Sequence, residues 1–125
     1  MSLLNAPVHS TIAVSDIDKA REFYEQTLGF TPTSVNPGGV FYPAGKETRF
    51  LVYPSGEAGS NKSTYMGFEV DDIEAEVADL KGRGIALLHY EGYTDESGIA
   101  TTGPVRSAWF QDPDGNILGV VQFAG

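Results

Sequence analysis

Val14-Ser15-Asp16-Ile17 and Val70-Asp71-Asp72-Ile73 stand 56 positions apart, and together they decide how the chain is read. Each tetrapeptide joins the apolar end of a strand pattern, two polar residues suited to capping a helix, and the first residue of an apolar helical stripe. After the first copy, Ile17, Ala20, Tyr24 and Leu28 recur at helical spacing until Gly29, and Ser15 with Asp18 gives an S-x-x-D cap. After the second, Ile73, Val77 and Leu80 repeat the stripe, with Asp71 and Glu74 as the cap and Gly82 and Gly84 as the stop. The helix ends also correspond: Leu28-Gly29-Phe30 and Arg83-Gly84-Ile85 are offset by 55, a one-residue difference in helix length. Self-similarity at one fixed period marks a duplicated structural unit.

Strand patterns complete each copy. Residues 8–14 alternate, with Val8, Ser10, Ile12 and Val14 on one face and His9, Thr11 and Ala13 on the other. Residues 31–35, 40–43 and 49–54 read as short strands, separated by the Asn36-Pro37-Gly38-Gly39 and Gly45-Lys46-Glu47 turns. In the second copy the strands are 64–70, 87–90, 105–111 and 117–123, the last two joined by Asp112-Pro113-Asp114-Gly115. The sequence thus predicts an α+β chain of two βαβββ modules, about 7–54 and 64–123, joined by a flexible Gly- and Ser-rich linker over 55–63. A module of about 55 residues has a marginal core, so the expected arrangement is one domain over 1–125 in which the two modules stack their sheets.

Composition narrows the partners. The 17 acidic and 8 basic residues give a net charge of −9, which disfavours nonspecific attraction to phosphate backbones, so no nucleic-acid partner is expected. With no cysteine there are no disulfides, thiolate nucleophiles or zinc knots, a usage that fits a cytoplasmic protein. Residues 1–7 lack a signal-peptide pattern and no apolar run reaches about 18 residues, so neither membrane insertion nor anchoring is expected. The segment 39–46 has five residues between its glycines and is followed by Glu47 rather than Ser or Thr, so it is a hairpin turn and not a phosphate loop. Asp112 and Asp114 lie in a Pro/Gly turn without the further carboxylates of a calcium loop, and no G-x-S-x-G elbow is present.

The βαβββ duplication, Val14-Ser15-Asp16-Ile17 leading to Phe23-Tyr24 and Leu28-Gly29-Phe30, and Phe110-Gln111-Asp112-Pro113-Asp114-Gly115-Asn116 near the end resemble one known family. It is the vicinal oxygen chelate superfamily, which includes glyoxalase I, bleomycin-resistance proteins and extradiol dioxygenases. The resemblance spans nearly the whole chain and implies a cup-shaped, partly closed eight-stranded sheet, commonly in a homodimer, with the chemistry on its inward faces. It also implies four metal-ligand positions, one on the first and one on the last strand of each module, which map here to His9, Leu51, Tyr65 and Gly119. Leu51 and Gly119 offer no side-chain donor and tyrosine is an uncommon ligand for zinc, nickel or manganese, whereas catalytic sites generally use about three protein ligands. Neither a metal nor another cofactor is therefore expected.

Other candidates are weighed by strand parity. His9 is either a ligand contact, an acid or base, or a polar residue bonded across the sheet. Tyr65, Gly67 and Glu69 share a face; Glu69 is either a carboxylate perturbed inside an apolar cup or an exposed rim residue. Leu51 and Tyr53 share the other inward face, with Arg49 at its edge either solvated or available to an anion. Trp109 and Phe110 point to opposite faces, as do Phe41 and Tyr42, and the sequence does not say which of each pair points inward. His89 has no partner at ligand spacing and stays outside the site, while residues 91–104 form either a lid or a disordered surface loop. The expected function is metal-free binding of a small, partly aromatic molecule by His9, Leu51, Tyr53, Tyr65, Glu69 and Trp109. The alternative is a divergent lyase, isomerase or dioxygenase-type enzyme with His9 and Glu69 as the candidate catalytic residues.

Overall fold

The computed structural model describes residues 2–123. Its contacts divide the chain into two compact units, Met1–Ala58 and Gly59–Gly125. The first is built from β1 (Ser10–Val14), α1 (Ile17–Arg21), β2 (Ser34–Asn36), β3 (Gly39–Pro43) and β4 (Arg49–Pro54). The second is built from β5 (Thr64–Glu69), α2 (Ile73–Gly82), β6 (Ala100–Thr102), β7 (Val105–Gln111) and β8 (Ile117–Gln122). Each unit holds a four-stranded mixed sheet, ordered β1-β4-β3-β2 in one and β5-β8-β7-β6 in the other. The duplication extends to the ladders: β1 runs parallel to β4 as β5 does to β8, and the remaining pairs are antiparallel. The protein is α+β with two repeated modules, as the repeat predicts, and the eight strands form two sheets rather than one closed one.

Both helices start one residue later than their capping patterns suggest. The N-caps are Asp16 and Asp72, in extended backbone, not Ser15 and Asp71. Asp16 Oδ1 accepts from the N–H groups of Asp18 and Lys19 at 3.0 and 3.2 Å, and Asp72 Oδ1 accepts from that of Ala75 at 3.1 Å. The carboxylate so placed satisfies donors that the first helical turn leaves open. From Arg21 the first helix widens into a π-helical stretch, Glu22–Thr27, and Gly29 at φ 91° turns the chain out of it.

The helix in each unit covers one face of its own sheet. In the first, Ile12, Val14, Val40, Tyr42, Phe50 and Val52 are buried with Ala20 and Tyr24, and the Tyr24 ring stacks on Tyr42. In the second, Ile73, Val77 and Leu80 of α2 are buried with Ala108, Phe110, Leu118 and Val120. At about 1.5–3 kcal/mol per buried large apolar side chain, these two layers supply the main stabilisation of each unit. Among the described residues, neither unit has a second α-helix of its own to cover the opposite face of its sheet.

Three stretches, 31–33, 87–90 and 91–104, differ from expectation. Residues 31–33 precede the strand rather than belong to it, because Pro32 has no N–H to give a ladder. Residues 87–90 bury Leu87, yet do not form a strand; Leu88 N–H donates to Trp109 O at 2.8 Å, and the edge position beside β7 goes to Ala100–Thr102. The stretch 91–104 is therefore partly ordered as sheet, held by Asp95 Oδ1 accepting from Ser97 N–H, Ser97 Oγ and Ile99 N–H at 2.6–2.9 Å. These donors hold the Asp95 carboxyl below its ordinary pKa, that of Ser97 Oγ foremost. Residues 55–63 are anchored on both sides: Ser55 N–H donates to Val14 O at 2.9 Å, and Gly59 N–H donates to Asn116 Oδ1 at 3.2 Å.

Candidate functional site

The candidate residues of the first unit lie on the helix-free face of β1-β4-β3. Thr11, Leu51 and Phe41 stand opposite one another across the three strands, and Ala13 stands opposite Tyr53. Directly opposed residues share a face, so Phe41 looks away from the helix while its neighbour Tyr42 enters the core. Leu51 and Tyr53 are half-buried, and His9, just before β1, is exposed. The His9 imidazole meets the Phe41 ring edge-on with 5.1 Å between centroids, and the Arg49 guanidinium carbon lies 4.3 Å from the centroid of the same ring. Three sequence candidates, His9, Leu51 and Arg49, are thus gathered around Phe41.

In the second unit the same parity puts Trp109 on the helix-free face, opposite Gly119, which in turn stands opposite Gly67. Phe110 takes the core. Two bare glycines side by side leave backbone where side chains would stand. A Cβ added at Gly67 would approach no atom closer than 3.9 Å, whereas one at Gly119 would lie 3.4 Å from the Trp109 ring and 3.5 Å from Thr64 Cγ2. Gly67 is therefore exposed and uncrowded, whereas Gly119 is buried beneath the indole and the Thr64 methyl. Tyr90 meets the indole edge-on with 5.5 Å between centroids, and Tyr93 stacks on it at 6.0 Å and 25°. These tyrosines are 41% and 54% exposed, and Tyr93 is steadied by a 3.1 Å hydrogen bond between its hydroxyl and that of Thr102.

Sequence reasoning missed Tyr90 and Tyr93. The available signal was two aromatic residues beside a Gly-rich stretch, but their contact with Trp109 is tertiary. Tyr65 is the extra residue of a β-bulge, since Thr64 pairs with Ile117 and Met66 with Leu118. Parity fails at that point, and the Thr64 methyl lies beside Gly119. Glu69 ends β5 opposite Val121 and is exposed, so it lacks apolar enclosure; His89 is exposed as well.

Two polar clusters look catalytic on paper but serve the framework. Tyr42 is fully buried and donates its hydroxyl to Glu25 Oε2 at 2.8 Å, while Arg21 Nε donates to the same oxygen at 2.7 Å. The bond from Arg21 holds the Glu25 carboxyl below its ordinary range, and burial first, then the Glu25 bond, pushes the Tyr42 hydroxyl up. All three belong to the helix-covered side. The second cluster is the Asp112–Asn116 turn: Asp112 Oδ1 accepts from Asp114 and Asn116 N–H at 3.0 and 2.9 Å, and Asn116 Nδ2 donates to Asp112 Oδ2 at 2.8 Å. With Asn116 Oδ1 spent on Gly59, this motif fastens the start of the second unit rather than holding a cation.

The residues at the superfamily's metal positions do not fit a metal. His9 brings one imidazole, Leu51 brings hydrocarbon, and the space over Gly119 is bordered by indole and methyl. Among the described residues no group of three or more His, Asp or Glu side chains is placed to hold an ion. No helix among them is long and apolar enough to cross a membrane.

Comparison with known proteins agrees with the duplicated fold. An antibiotic binding protein from Streptomyces sp. CB03234, TnmS3, is 29% identical, covers 95% of this chain and 98% of its own, and superposes with a TM-score of 0.70. The glyoxalase/bleomycin resistance protein/dioxygenase from Alicyclobacillus acidocaldarius is 22% identical with a TM-score of 0.69 over 98% of this chain and 95% of its own, a likeness of fold. A Vibrio cholerae protein named "Probable lactoylglutathione lyase" is 29% identical over 128 aligned positions, 92% of this chain and 88% of its own. The family model described as Glyoxalase/Bleomycin resistance protein/Dioxygenase superfamily matches residues 6–120, and the chain belongs to that superfamily.

Proposed function

We propose that the protein binds a small, partly aromatic molecule without a metal, on the helix-free sheet faces that carry His9, Leu51, Tyr53, Tyr65, Glu69 and Trp109. The observation that carries this reading is the Trp109 indole, which covers Gly119 and is flanked by Tyr90 and Tyr93, on the sheet face where the neighbouring Gly67 is exposed. A flat ring laid over Gly67 would have no side chain of that residue to displace. Burying about 200 Å² of apolar surface would contribute roughly 5 kcal/mol gross at ~25 cal/mol per Å². Association costs reduce that figure, so micromolar affinity requires polar contacts as well. Support also comes from TnmS3, an antibiotic binding protein that matches 95% of the chain.

The same reading takes residues 1–125 as one ligand-binding domain made of modules 7–54 and 64–123, working as a homodimer in the cytoplasm. A thermal-shift screen of flat aromatic compounds against chelator-treated protein tests it. Saturable stabilisation by at least one planar compound, reduced in Trp109→Ala, is expected. No stabilisation by any member of the panel, with Trp109 fluorescence unmoved, counts against the reading.

A second reading, a lyase or isomerase, is favoured by the Vibrio cholerae relative. On this chain its candidate catalytic residues are His9 and Glu69, both exposed. A His9→Gln variant that leaves turnover of a candidate substrate intact removes the proposed base.

A further inference from the structure

Three of the four arginines are paired with carboxylates: Arg21 with Glu25, Arg83 with Asp79 and Arg106 with Glu74. Arg49 is not. It stands at the start of β4, opposite Pro43, and its guanidinium lies over the Phe41 ring with the His9 imidazole against that ring. Among the described residues it has no carboxylate partner, in a chain that carries 17 acidic residues. A guanidinium resting on an aromatic ring keeps its edge N–H donors for other groups, and the ring limits the orientations it samples. Those donors match the two oxygens of a carboxylate.

We propose that Arg49, held over Phe41 and accompanied by His9, is an anion-recognition arm of the first unit that takes the carboxylate of a small planar aromatic acid. The inference deepens the reading above, on which it rests, by naming the ligand class as planar aromatic acids rather than neutral aromatics. Arg49 shares its strand face with Leu51 and Tyr53, so an acid gripped there lays its ring along half-buried apolar surface. Because the chain's net charge is −9, an anion gains little from the overall field, and selectivity must come from this local arrangement.

The test uses a matched probe pair, 2-naphthoate and 2-naphthamide, titrated into isotopically labelled full-length protein while two side-chain NMR signals are followed. One is the Arg49 Nε–H, assigned by its loss in Arg49→Gln; the other is the Nε1–H of the single tryptophan. Arg49 is exposed, so its replacement leaves the core untouched. Naphthoate is expected to shift the Arg49 signal saturably and to bind at least five-fold more tightly than naphthamide, and Arg49→Gln is expected to erase that preference. An Arg49 signal unmoved by naphthoate, or an acid preference that persists in Arg49→Gln, overturns the proposal. The tryptophan signal reports separately: if both probes move it while Arg49 stays still, the ligand reading stands and the anion arm falls. If neither probe moves either signal, both fall.

Discussion

Replacing Asn116 by alanine should lower stability by about 3 kcal/mol, because the side chain is fully buried and both ends of its amide are committed. Its Nδ2 donates to the Asp112 carboxylate at 2.8 Å, and its Oδ1 accepts from Gly59 N–H at 3.2 Å. A hydrogen bond to a charged group is worth about 1.5–3 kcal/mol and a neutral one about 0.5–1.5 kcal/mol. The backbone N–H of residue 116 would still reach Asp112 Oδ1, so the turn persists and the loss stays near the middle of that span. In urea, at a slope of about 2 kcal/mol per M, the unfolding midpoint should fall by about 1.5 M. Asn116→Asp is the sharper version. It keeps the shape and an acceptor for Gly59 but sets a second carboxylate against Asp112, so at neutral pH it should be at least as damaging as alanine and recover as acid neutralises the pair. Midpoints within about 0.3 M of the parent for both variants at pH 7 would refute the view of this motif as a buried clamp.

Gly59→Ala should destabilise strongly, since Gly59 sits at φ 71° and an added methyl would collide with the Asp114 carbonyl oxygen; thermal unfolding checks it. Because the Glu25 carboxyl is held below its ordinary value of 4.5 in the folded chain, its contribution is present above that pH and lost as the pH falls through the folded value. Glu25→Gln should therefore flatten the acid limb of a stability–pH curve, and an unchanged limb would show that the pair with Arg21 contributes nothing. At the other end, the raised Tyr42 hydroxyl makes stability fall as pH rises above 10, and Tyr42→Phe should soften that loss. Trp109→Ala should weaken binding of a planar aromatic by about ten-fold, from a contact worth roughly 1–1.5 kcal/mol, read by calorimetry. Gly67→Val should fill the open space over that residue and weaken binding with little change in unfolding temperature.

The fold was legible because it is written twice. Asp16 and Asp72 cap two helices 56 residues apart, and an apolar stripe of the right period follows each. A capping pattern locates a helix start only to within a residue when two polar side chains compete, and at both starts the second of the two won. Ala100–Thr102 was not legible, because three residues are too few to show alternation and their partner β7 specifies them from outside the segment. Residues 87–90 misled for the opposite reason: Leu87 is buried, as a strand there would allow, yet the segment forms no strand and meets β7 through Leu88 N–H. In the site, parity separated Trp109 from Phe110 but could not choose between them without knowing which face α2 covers. The cluster of Tyr90 and Tyr93 on Trp109 depends on how the chain returns over the sheet, which no local pattern encodes.

The account turns on metal-free recognition of an aromatic molecule, and the most direct measurement is a fluorescence titration of Trp109 with a planar aromatic compound, first in chelator and then with added zinc or nickel. Saturable quenching with the same affinity in both conditions is the predicted result. Quenching that is absent in chelator and appears only once the metal is supplied would contradict it.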